Sequence, residues 1–202
     1  GQEIGMDNFV RKDISEFDDI ASKDQYQRAL GEKFSTEEAL YFVNKRSRDN
    51  SRTPMQWDNS KNAGFSKDEN SKSWINLTGS QAVTNVKNQL NDENSIFAHY
   101  KKMIDLRQNG KYSDCLIYGE FIPVPLENKK IIAYVRKYRN QKILCISNFS
   151  ELKQEVKLND IAKVLGEKEI TLGEILINNF DKIGKDEKKL NLEGFQSLLV
   201  EI

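Results

Sequence analysis

The spacing of apolar residues changes near residue 111 of this chain. Before that point apolar residues recur every three to four positions, the period of a helix, whereas after it they lie in short runs separated by turn residues. The clearest helix is predicted for residues 92–109, with Asp92 or Asn94 as its cap and Gly110 at its end. Its apolar stripe consists of Ile96, Phe97, Tyr100, Met103 and Ile104.

Two shorter helices are predicted nearer the N-terminus. The first is expected to end at Gly31. The second begins at Ser35, because Ser35 and Glu38 have the spacing of a capping box, and Leu40 and Val43 give it an apolar face. The residues that fit one helical face ahead of the first helix are Phe17, Ile20 and Ala21.

The C-terminal half is predicted to be a β structure. Its short, closely spaced runs favour an antiparallel sandwich, and the runs on either side of Arg139-Asn140 predict a hairpin. A turn is also expected at Asn159-Asp160. The predicted strands are residues 115–118, 121–124, 131–138, 143–149, 155–158, 168–171, 175–178 and 197–202.

Residues 48–66 fit neither a helical nor a strand pattern. The segment contains two arginines, Arg48 and Arg52, together with Pro54 and Gly64, which both interrupt regular structure. A long irregular segment with large aromatic side chains loses much conformational entropy when it is ordered. The sequence therefore predicts a functional loop on a rigid scaffold.

The composition of the chain limits the kinds of molecule that the protein is expected to bind. The 202 residues include 31 basic and 31 acidic side chains, so no basic field for nucleic acid or for a membrane surface is expected. No signal peptide or membrane span is visible, which predicts a cytoplasmic protein. Cys115 and Cys145 are expected to be buried, reduced thiols in strands. His99 is the only histidine and is expected to be half-exposed, and no metal or cofactor is predicted.

The run Arg52-Thr53-Pro54-Met55-Gln56-Trp57 resembles a segment of a known family. It is similar to the loop after the eighth barrel strand in the α-glucosidases of glycoside hydrolase family 13, the α-amylase family. Residues 1–6 resemble the segment that leaves that strand, residues 95–107 the last barrel helix, and Asn148-Phe149-Ser150 a strand of the C-terminal sandwich.

The resemblance implies an α+β fragment made of two parts. Residues 1–111 would be the last βα segment of a (β/α)8 barrel with a long helical and loop insertion, and residues 112–202 an antiparallel β-sandwich. A complete barrel takes about 250 residues. The chain is therefore expected to be the C-terminal part of a longer enzyme, with the missing N-terminal barrel segment as its partner.

The resemblance also implies roles for individual residues. The family takes its catalytic carboxylates from earlier strands, so no catalytic residue is expected here. Glu3 and Asp49 are not expected to replace them, because the sequence shows no apolar pocket that would raise the pKa of one of the two carboxyl groups. Arg52 matches the arginine that helps to bind the innermost glucose, and the alternative is a salt bridge that only orders the loop. Arg48 is a second substrate-binding candidate, but a structural pairing with an acid such as Asp49 or Asp58 is the favoured interpretation.

The aromatic residues of the loop have two interpretations. Trp57 and Phe65 are expected to anchor the loop in the core, and the other interpretation makes them platforms for stacking a sugar. The implied function is that of a retaining, exo-acting α-glucosidase that cleaves terminal α-1,6 or α-1,4 bonds of short oligosaccharides. The alternatives are trehalose-6-phosphate hydrolase, sucrose isomerase, and a non-catalytic sugar-binding sandwich with candidates Phe121, Tyr134 and Tyr138.

Overall fold

The computed structural model describes residues 1–186 and 188–202. It contains two compact units, Gly1–Tyr100 and Lys101–Ile202, which we describe in turn. The boundary between a catalytic part and a C-terminal domain after residue 111 stays a prediction.

The first unit is built from helices joined by long irregular segments. Its 3-10 helices are Gln2–Ile4, Ile14–Glu16 and Arg48–Ser51, and its α-helices are α1 (Ile20–Gly31), α2 (Thr36–Arg46), α3 (Val86–Gln89) and the start of α4 (Ile96–Gln108). Gln2–Ile4 therefore form one turn of 3-10 helix, and Gly5 closes this turn with a φ of 69°.

The helices α1 and α2 form a hairpin. Helix α1 begins at Ile20, because the carboxylate of Asp19 caps it by accepting a hydrogen bond from the backbone N–H of Ser22. Ile20 lies on the exposed side, so the predicted apolar face was wrong there. The capping box of Ser35 and Glu38 is confirmed. The small core of the hairpin consists of Phe17, Tyr26, Ala39 and Val43, with Ile14, Ala29, Leu30 and Leu40 packed against it.

Helix α4 was predicted correctly but its cap was not. The helix begins at Ile96, and the side chain of Ser95 accepts a hydrogen bond from the backbone N–H of Ala98 at 3.1 Å. Ser95 is therefore the capping residue and not Asp92 or Asn94. His99 is half-exposed on this helix, as expected. Gly110, with a φ of 87°, follows the helix end.

The second unit contains helices α5 (Ser113–Tyr118) and α6 (Leu158–Leu165). Its strands are β1 (Glu120–Pro123), β2 (Ile131–Tyr138), β3 (Gln141–Asn148), β4 (Gln154–Lys157), β5 (Ile175–Asn178), β6 (Gly184–Lys185), β7 (Lys189–Leu192) and β8 (Ser197–Glu201).

The strands of the second unit pair in two antiparallel sheets. Within the described residues one sheet has the order β1-β2-β3-β8-β5 and the other the order β4-β7-β6. The predicted hairpin is β2–β3, in which Ile131 faces Asn148 and Tyr138 faces Gln141. Arg139 occupies its turn with a φ of 52°. The predicted antiparallel architecture is thus confirmed.

One apolar core connects both sheets and helix α6. It contains fifteen buried residues, among them Val135, Leu144, Ile161, Leu190 and Leu198. Burial of large aliphatic side chains from both sheets is what holds this unit together, at about 1.5–3 kcal/mol for each.

The sequence reading of the second unit was wrong in four places. Residues 113–118 form helix α5 and not a strand, residues 158–165 form helix α6 where a turn was expected, and residues 168–171 form no strand. Strands β6 and β7 were missed. Cys115 and Cys145 are both free, with Cys115 buried and Cys145 only half-buried.

Candidate functional site

The arginine-bearing loop begins with a short, tightly bonded turn. Directly after α2, Ser47 caps the 3-10 helix Arg48–Ser51 by accepting a hydrogen bond from the backbone N–H of Asp49 at 3.1 Å. The Ser47 hydroxyl also accepts from the hydroxyl of Ser22 on α1 at 2.8 Å. The helical hairpin therefore positions the loop at its first residue.

Asp49 is the centre of this turn and is completely buried. Its Oδ2 accepts hydrogen bonds from the backbone N–H groups of Asp18 at 2.8 Å and Asp19 at 3.0 Å. Its Oδ1 accepts from Nη1 of Arg52 at 3.2 Å. Burial alone would raise the pKa of Asp49, but these hydrogen bonds and the charge of Arg11 outweigh it, so the pKa lies below its ordinary value.

Arg48 is paired, but with neither of the predicted partners. Its Nε and Nη2 donate to Oδ1 of Asp19 at 3.0 and 2.5 Å, which is the expected pairing with an acid, although the acid is neither Asp49 nor Asp58. Asp19 is nearly buried, and the hydrogen bond from Arg48 lowers its pKa. The tertiary contact between α1 and the loop decides this pairing, because Asp19 is 29 residues away in the chain.

Arg52 makes one side-chain hydrogen bond within the described residues. Its Nη1 contacts Asp49 at 3.2 Å and lies 4.0 Å from Oδ1 of Asp19, while the side chain is 36% exposed. Among the described residues, its Nε and Nη2 have no hydrogen-bond partner. The guanidinium is thus bonded through one nitrogen while two others have no partner in the described chain, an arrangement that suits hydroxyl or carboxylate acceptors.

Arg11 is a buried residue of this site that the sequence reading missed. Its guanidinium lies over the rings of Phe9 and Phe17, and Nη1 donates to Oδ1 of Asn50 at 3.1 Å. The side chain of Asn44 bonds to both the N–H and the carbonyl of Arg11 at 2.8 Å. Nothing in the sequence around Arg11 indicated that it is buried, because it lies in a polar stretch and arginine is rarely fully buried in proteins.

Gln56 organises the second half of the loop and was also missed. It is completely buried; its Nε2 donates to the carbonyl of Thr84 at 2.6 Å and its Oε1 accepts from the hydroxyl of Thr78 at 2.6 Å. Its own carbonyl accepts from the N–H of Val86, the first residue of α3. One side chain therefore replaces the backbone pairing that this irregular segment lacks.

The aromatic residues of the loop are not core anchors in the described chain. Trp57 is 50% exposed and Phe65 is 58% exposed, so the preferred interpretation was wrong for both. The turn between them is tight, because the N–H of Trp57 donates to the carbonyl of Ala63 at 2.7 Å. Gly64 adopts a φ of 67°, and a Cβ there would meet the carboxylate of Asp58 at 2.9 Å.

A polar cleft of about 810 Å³ lies beside the loop. Its lining includes Asn50, Ser51 and Thr53 but neither Arg48 nor Arg52. The other lining residues are Gly1, Gln2, Glu3, Gly5, Met6, Asp7, Asn8, Lys45, Arg46 and Ser47. Amides, hydroxyls and charges of both signs suit a ligand that is rich in hydroxyl groups.

The two acids considered as a catalytic pair are both ionised at neutral pH. Hydrogen bonding within its own turn lowers the pKa of Glu3, and the pKa of Asp49 is lowered as described. A glycosidase needs one carboxyl that stays protonated as general acid, and neither group fits that role.

In the part of the chain that the structure describes, no group of three or more His, Cys, Asp or Glu side chains is arranged to hold a metal ion. No helix among the described residues is long and apolar enough to cross a membrane.

The lowered pKa values make the first unit sensitive to acid. Because Asp19 and Asp49 have folded pKa values below their unfolded values of about 4, their contribution to stability is complete above pH 4 and is lost as the pH falls through the folded values. We expect the free energy of unfolding to decrease between pH 5 and pH 2. Trp57 and Trp74 are the two tryptophans, so urea unfolding followed by their fluorescence reports on this unit. Equal urea midpoints at pH 6 and pH 3 would contradict the expectation.

Comparison with known proteins places the chain in a family. The profile described as "Alpha amylase, catalytic domain" matches residues 1–119, more than half of the chain, and the profile "Alpha-amylase SusG C-terminal domain" matches residues 131–199. The chain belongs to the α-amylase family, glycoside hydrolase family 13. The predicted family and the predicted fold of a C-terminal part of such enzymes are thereby confirmed.

Curated relatives of this α-amylase family chain carry several names. An oligo-1,6-glucosidase of Bacillus cereus is 31% identical over 209 residues, which cover 100% of the chain and 34% of the relative. A trehalose-6-phosphate hydrolase of Bacillus subtilis (strain 168) is 35% identical over 149 residues, covering 74% of the chain and 26% of the relative.

Among solved structures, isomaltulose synthase from Klebsiella sp. LX3 superimposes with a TM-score of 0.85 at 29% identity, and the match covers 100% of the chain and 34% of that protein. The chain thus spans about a third of the length of these relatives.

Proposed function

We propose that this chain is the C-terminal part of a retaining, exo-acting α-glucosidase that hydrolyses terminal α-1,6 or α-1,4 glucosidic bonds of short oligosaccharides. In this proposal the first unit contributes a wall of the substrate pocket, and the second unit is the C-terminal sandwich of the enzyme. The oligosaccharide and the N-terminal barrel segment are its partners.

The observation that carries the proposal is the environment of Arg52. Its guanidinium is bonded through Nη1 to a buried carboxylate while its side chain is still 36% exposed. A group anchored in this way loses little further entropy when it binds a ligand. Its planar set of donors suits the hydroxyl groups of a glucosyl unit, the role that the family resemblance implies for this residue. Arg48 donates to Asp19 and is proposed as a second, weaker contact.

The chemical step is assigned to another part of the enzyme. A retaining glycosidase needs two carboxyl groups about 5–5.5 Å apart, one as nucleophile and one as acid and base. The resemblance implies that both come from earlier barrel strands. The residues of this chain therefore hold the substrate and orient its glycosidic bond.

Two other functions within the family are supported by the relatives. Names such as trehalose-6-phosphate hydrolase and isomaltulose synthase occur among proteins of similar identity, so a phosphorylated disaccharide or sucrose is the second candidate substrate. A sugar-binding sandwich without catalysis has weaker support. Phe121 is exposed, but its ring packs against Tyr134 at a centroid distance of 4.9 Å, which leaves no separate platform.

A comparison of two proteins tests the proposal. The pure 202-residue chain is expected to release no glucose from isomaltose, maltose, trehalose 6-phosphate or sucrose. The longer polypeptide that includes the upstream barrel is expected to cleave isomaltose or maltose with retention at the anomeric carbon, followed by NMR of the first product.

Glucose release by the chain alone would contradict the assignment of the chemistry to another segment. Cleavage of trehalose 6-phosphate, or isomerisation of sucrose, by the longer protein in preference to isomaltose would favour the second candidate. Binding of maltose to the second unit without any hydrolysis by the longer protein would favour a binding module.

A further inference from the structure

The second unit contains a cavity that is lined mainly by lysines. Its volume is about 490 Å³, within the range of about 300–1,000 Å³ that is usual for small-molecule sites. Among the described lining residues there is one acidic side chain, that of Glu169. The basic lining residues are Lys157, Lys168, Lys188 and Lys189. The cavity is therefore positively charged, although the whole chain is formally neutral.

The strand register brings two of these lysines together. Lys157 at the end of β4 lies directly opposite Lys189 at the start of β7. Directly opposed residues of an antiparallel sheet project from the same face with their Cβ atoms about 4.5–5.5 Å apart, and like charges in this arrangement destabilise the sheet. The backbone is fixed at this point, because the N–H of Leu158 donates to the carbonyl of Lys188 at 2.9 Å. An anion bound between the lysines would remove their repulsion.

Within the described residues, carboxylates neutralise only one of the four lysines. Nζ of Lys189 lies 2.9 Å from Oε2 of Glu155. Oδ1 of Asp186 accepts hydrogen bonds from the backbone N–H groups of Lys188 and Lys189 at 2.8 Å each, so it is bonded to the backbone and not to an ammonium group. The lining lysines without an ion pair in this part of the chain are Lys157, Lys168 and Lys188.

Two buried residues of the cavity wall are apolar. Leu158 is 4% exposed and Ile170 is 7% exposed. Leu158 is also the first residue of α6, and the start of this helix has no side-chain cap. The partial positive charge of a helix N-terminus adds to that of the lysines. The cavity thus combines positive charge with an apolar wall, which suits an anionic group carried by a small organic molecule.

We propose that this cavity binds a small phosphate monoester. A lysine ammonium group is a compact charge with three hydrogen-bond donors, and it binds phosphate oxygens through charge-assisted hydrogen bonds. A dianionic phosphate group would balance the lysines that lack a carboxylate partner, and the apolar wall would contact the organic part. The inference is independent of the proposed function, because it uses no residue of the arginine-bearing loop.

Isothermal titration calorimetry of the 202-residue chain at physiological salt tests the proposal. The probe is glucose 6-phosphate, with inorganic phosphate and glucose in separate titrations. We expect a Kd of about 1 mM for glucose 6-phosphate, the affinity that two charge-assisted hydrogen bonds supply. Inorganic phosphate is expected to bind at least about 3-fold more weakly, because it lacks the organic part. Equal affinity for glucose or for inorganic phosphate would overturn the assignment to a monoester.

Two variants locate the binding site. Lys157→Gln and Lys188→Gln each remove one ammonium group from an exposed side chain, so the fold is retained. Each variant is expected to raise the Kd about 10-fold, the effect of losing one charge-assisted hydrogen bond.

Lys163→Gln is the matched control, because Lys163 is an exposed lysine of α6 that pairs with Asp160 and does not line the cavity. It makes the same change in net charge and should leave the Kd within about 2-fold of the wild type, since salt screens a charge outside the cavity. No binding of glucose 6-phosphate by the wild type, or equal losses in all three variants, would overturn the proposal.

Thermal unfolding gives a second measurement. Because Lys157 faces Lys189, Lys157→Gln is expected to unfold at a higher temperature than the wild type when no ligand is present. Glucose 6-phosphate should raise the unfolding temperature of the wild type more than that of the variant, because it binds the folded wild type more tightly. Differential scanning calorimetry of both proteins measures these shifts, and an equal rise in both would contradict binding between the lysines.

Discussion

Replacing Arg52 with alanine is expected to lower kcat/KM for isomaltose about 100-fold in the full-length enzyme. A hydrogen bond from a charged donor is worth about 1.5–3 kcal/mol, and a loss of about 2.7 kcal/mol in transition-state binding corresponds to a factor of about 100. Arg52 suits this role because Asp49 holds it through one nitrogen. The measurement is steady-state hydrolysis of isomaltose with purified wild-type and variant enzymes.

Two variants separate substrate binding from loop structure. Arg52→Lys keeps the charge but has no planar donor set, so it should recover only part of the lost activity. Arg48→Ala removes an exposed guanidinium that pairs with the buried carboxylate of Asp19, and we expect kcat/KM to fall by less than about 10-fold. A larger loss for Arg48→Ala than for Arg52→Ala would show that the roles of the two arginines are reversed.

Replacing Asp49 with alanine is expected to destabilise the first unit by about 3 kcal/mol. The change leaves the backbone N–H groups of Asp18 and Asp19 without their acceptor in a buried place and removes the partner of Arg52. Each unsatisfied buried group costs about 1–3 kcal/mol. Urea unfolding of the 202-residue chain, followed by tryptophan fluorescence, measures the difference.

Asp58→Ala is the control for this prediction. Asp58 lies in the same loop, but within the described residues its carboxylate accepts a single hydrogen bond, from the backbone N–H of Ser60 to Oδ1, and the residue is half-exposed. We expect a loss of less than about 1 kcal/mol. Comparable losses for the two variants would show that Asp49 has no special role in ordering the loop.

The sequence predicted the parts of this chain that depend on local periodicity and on short motifs. The Ser35–Glu38 capping box, helix α4 and the β2–β3 hairpin all follow from residues within a few positions of each other. The errors occurred where one local sequence pattern is compatible with both a helix and a strand. The run around Cys115 is apolar enough for a strand, but it packs as helix α5 with Tyr112, Leu116 and Ile143.

The candidate site was predicted only in outline. The irregular segment 48–66 predicted the loop and its two arginines, and the run from Arg52 to Trp57 within it carried the family resemblance. The partner of Arg48, however, is Asp19 on helix α1, and the Arg11–Asn44–Asn50 contacts join residues that are 33 and 39 positions apart. A local sequence pattern cannot predict such contacts, because several acidic residues in this polar region are equally plausible ion-pair partners for each arginine.

By itself, the sequence determined the family, the change from helices to antiparallel strands and the loop that bears Arg52. Each of these follows from the spacing of residues along the chain or from a contiguous sequence motif. Only the tertiary structure decided that Asp49 is the buried anchor of Arg52, that Gln56 orders the second half of the loop and that Trp57 and Phe65 are exposed. Burial and hydrogen-bond partners depend on which distant segments meet, and that follows from the packing of the whole unit.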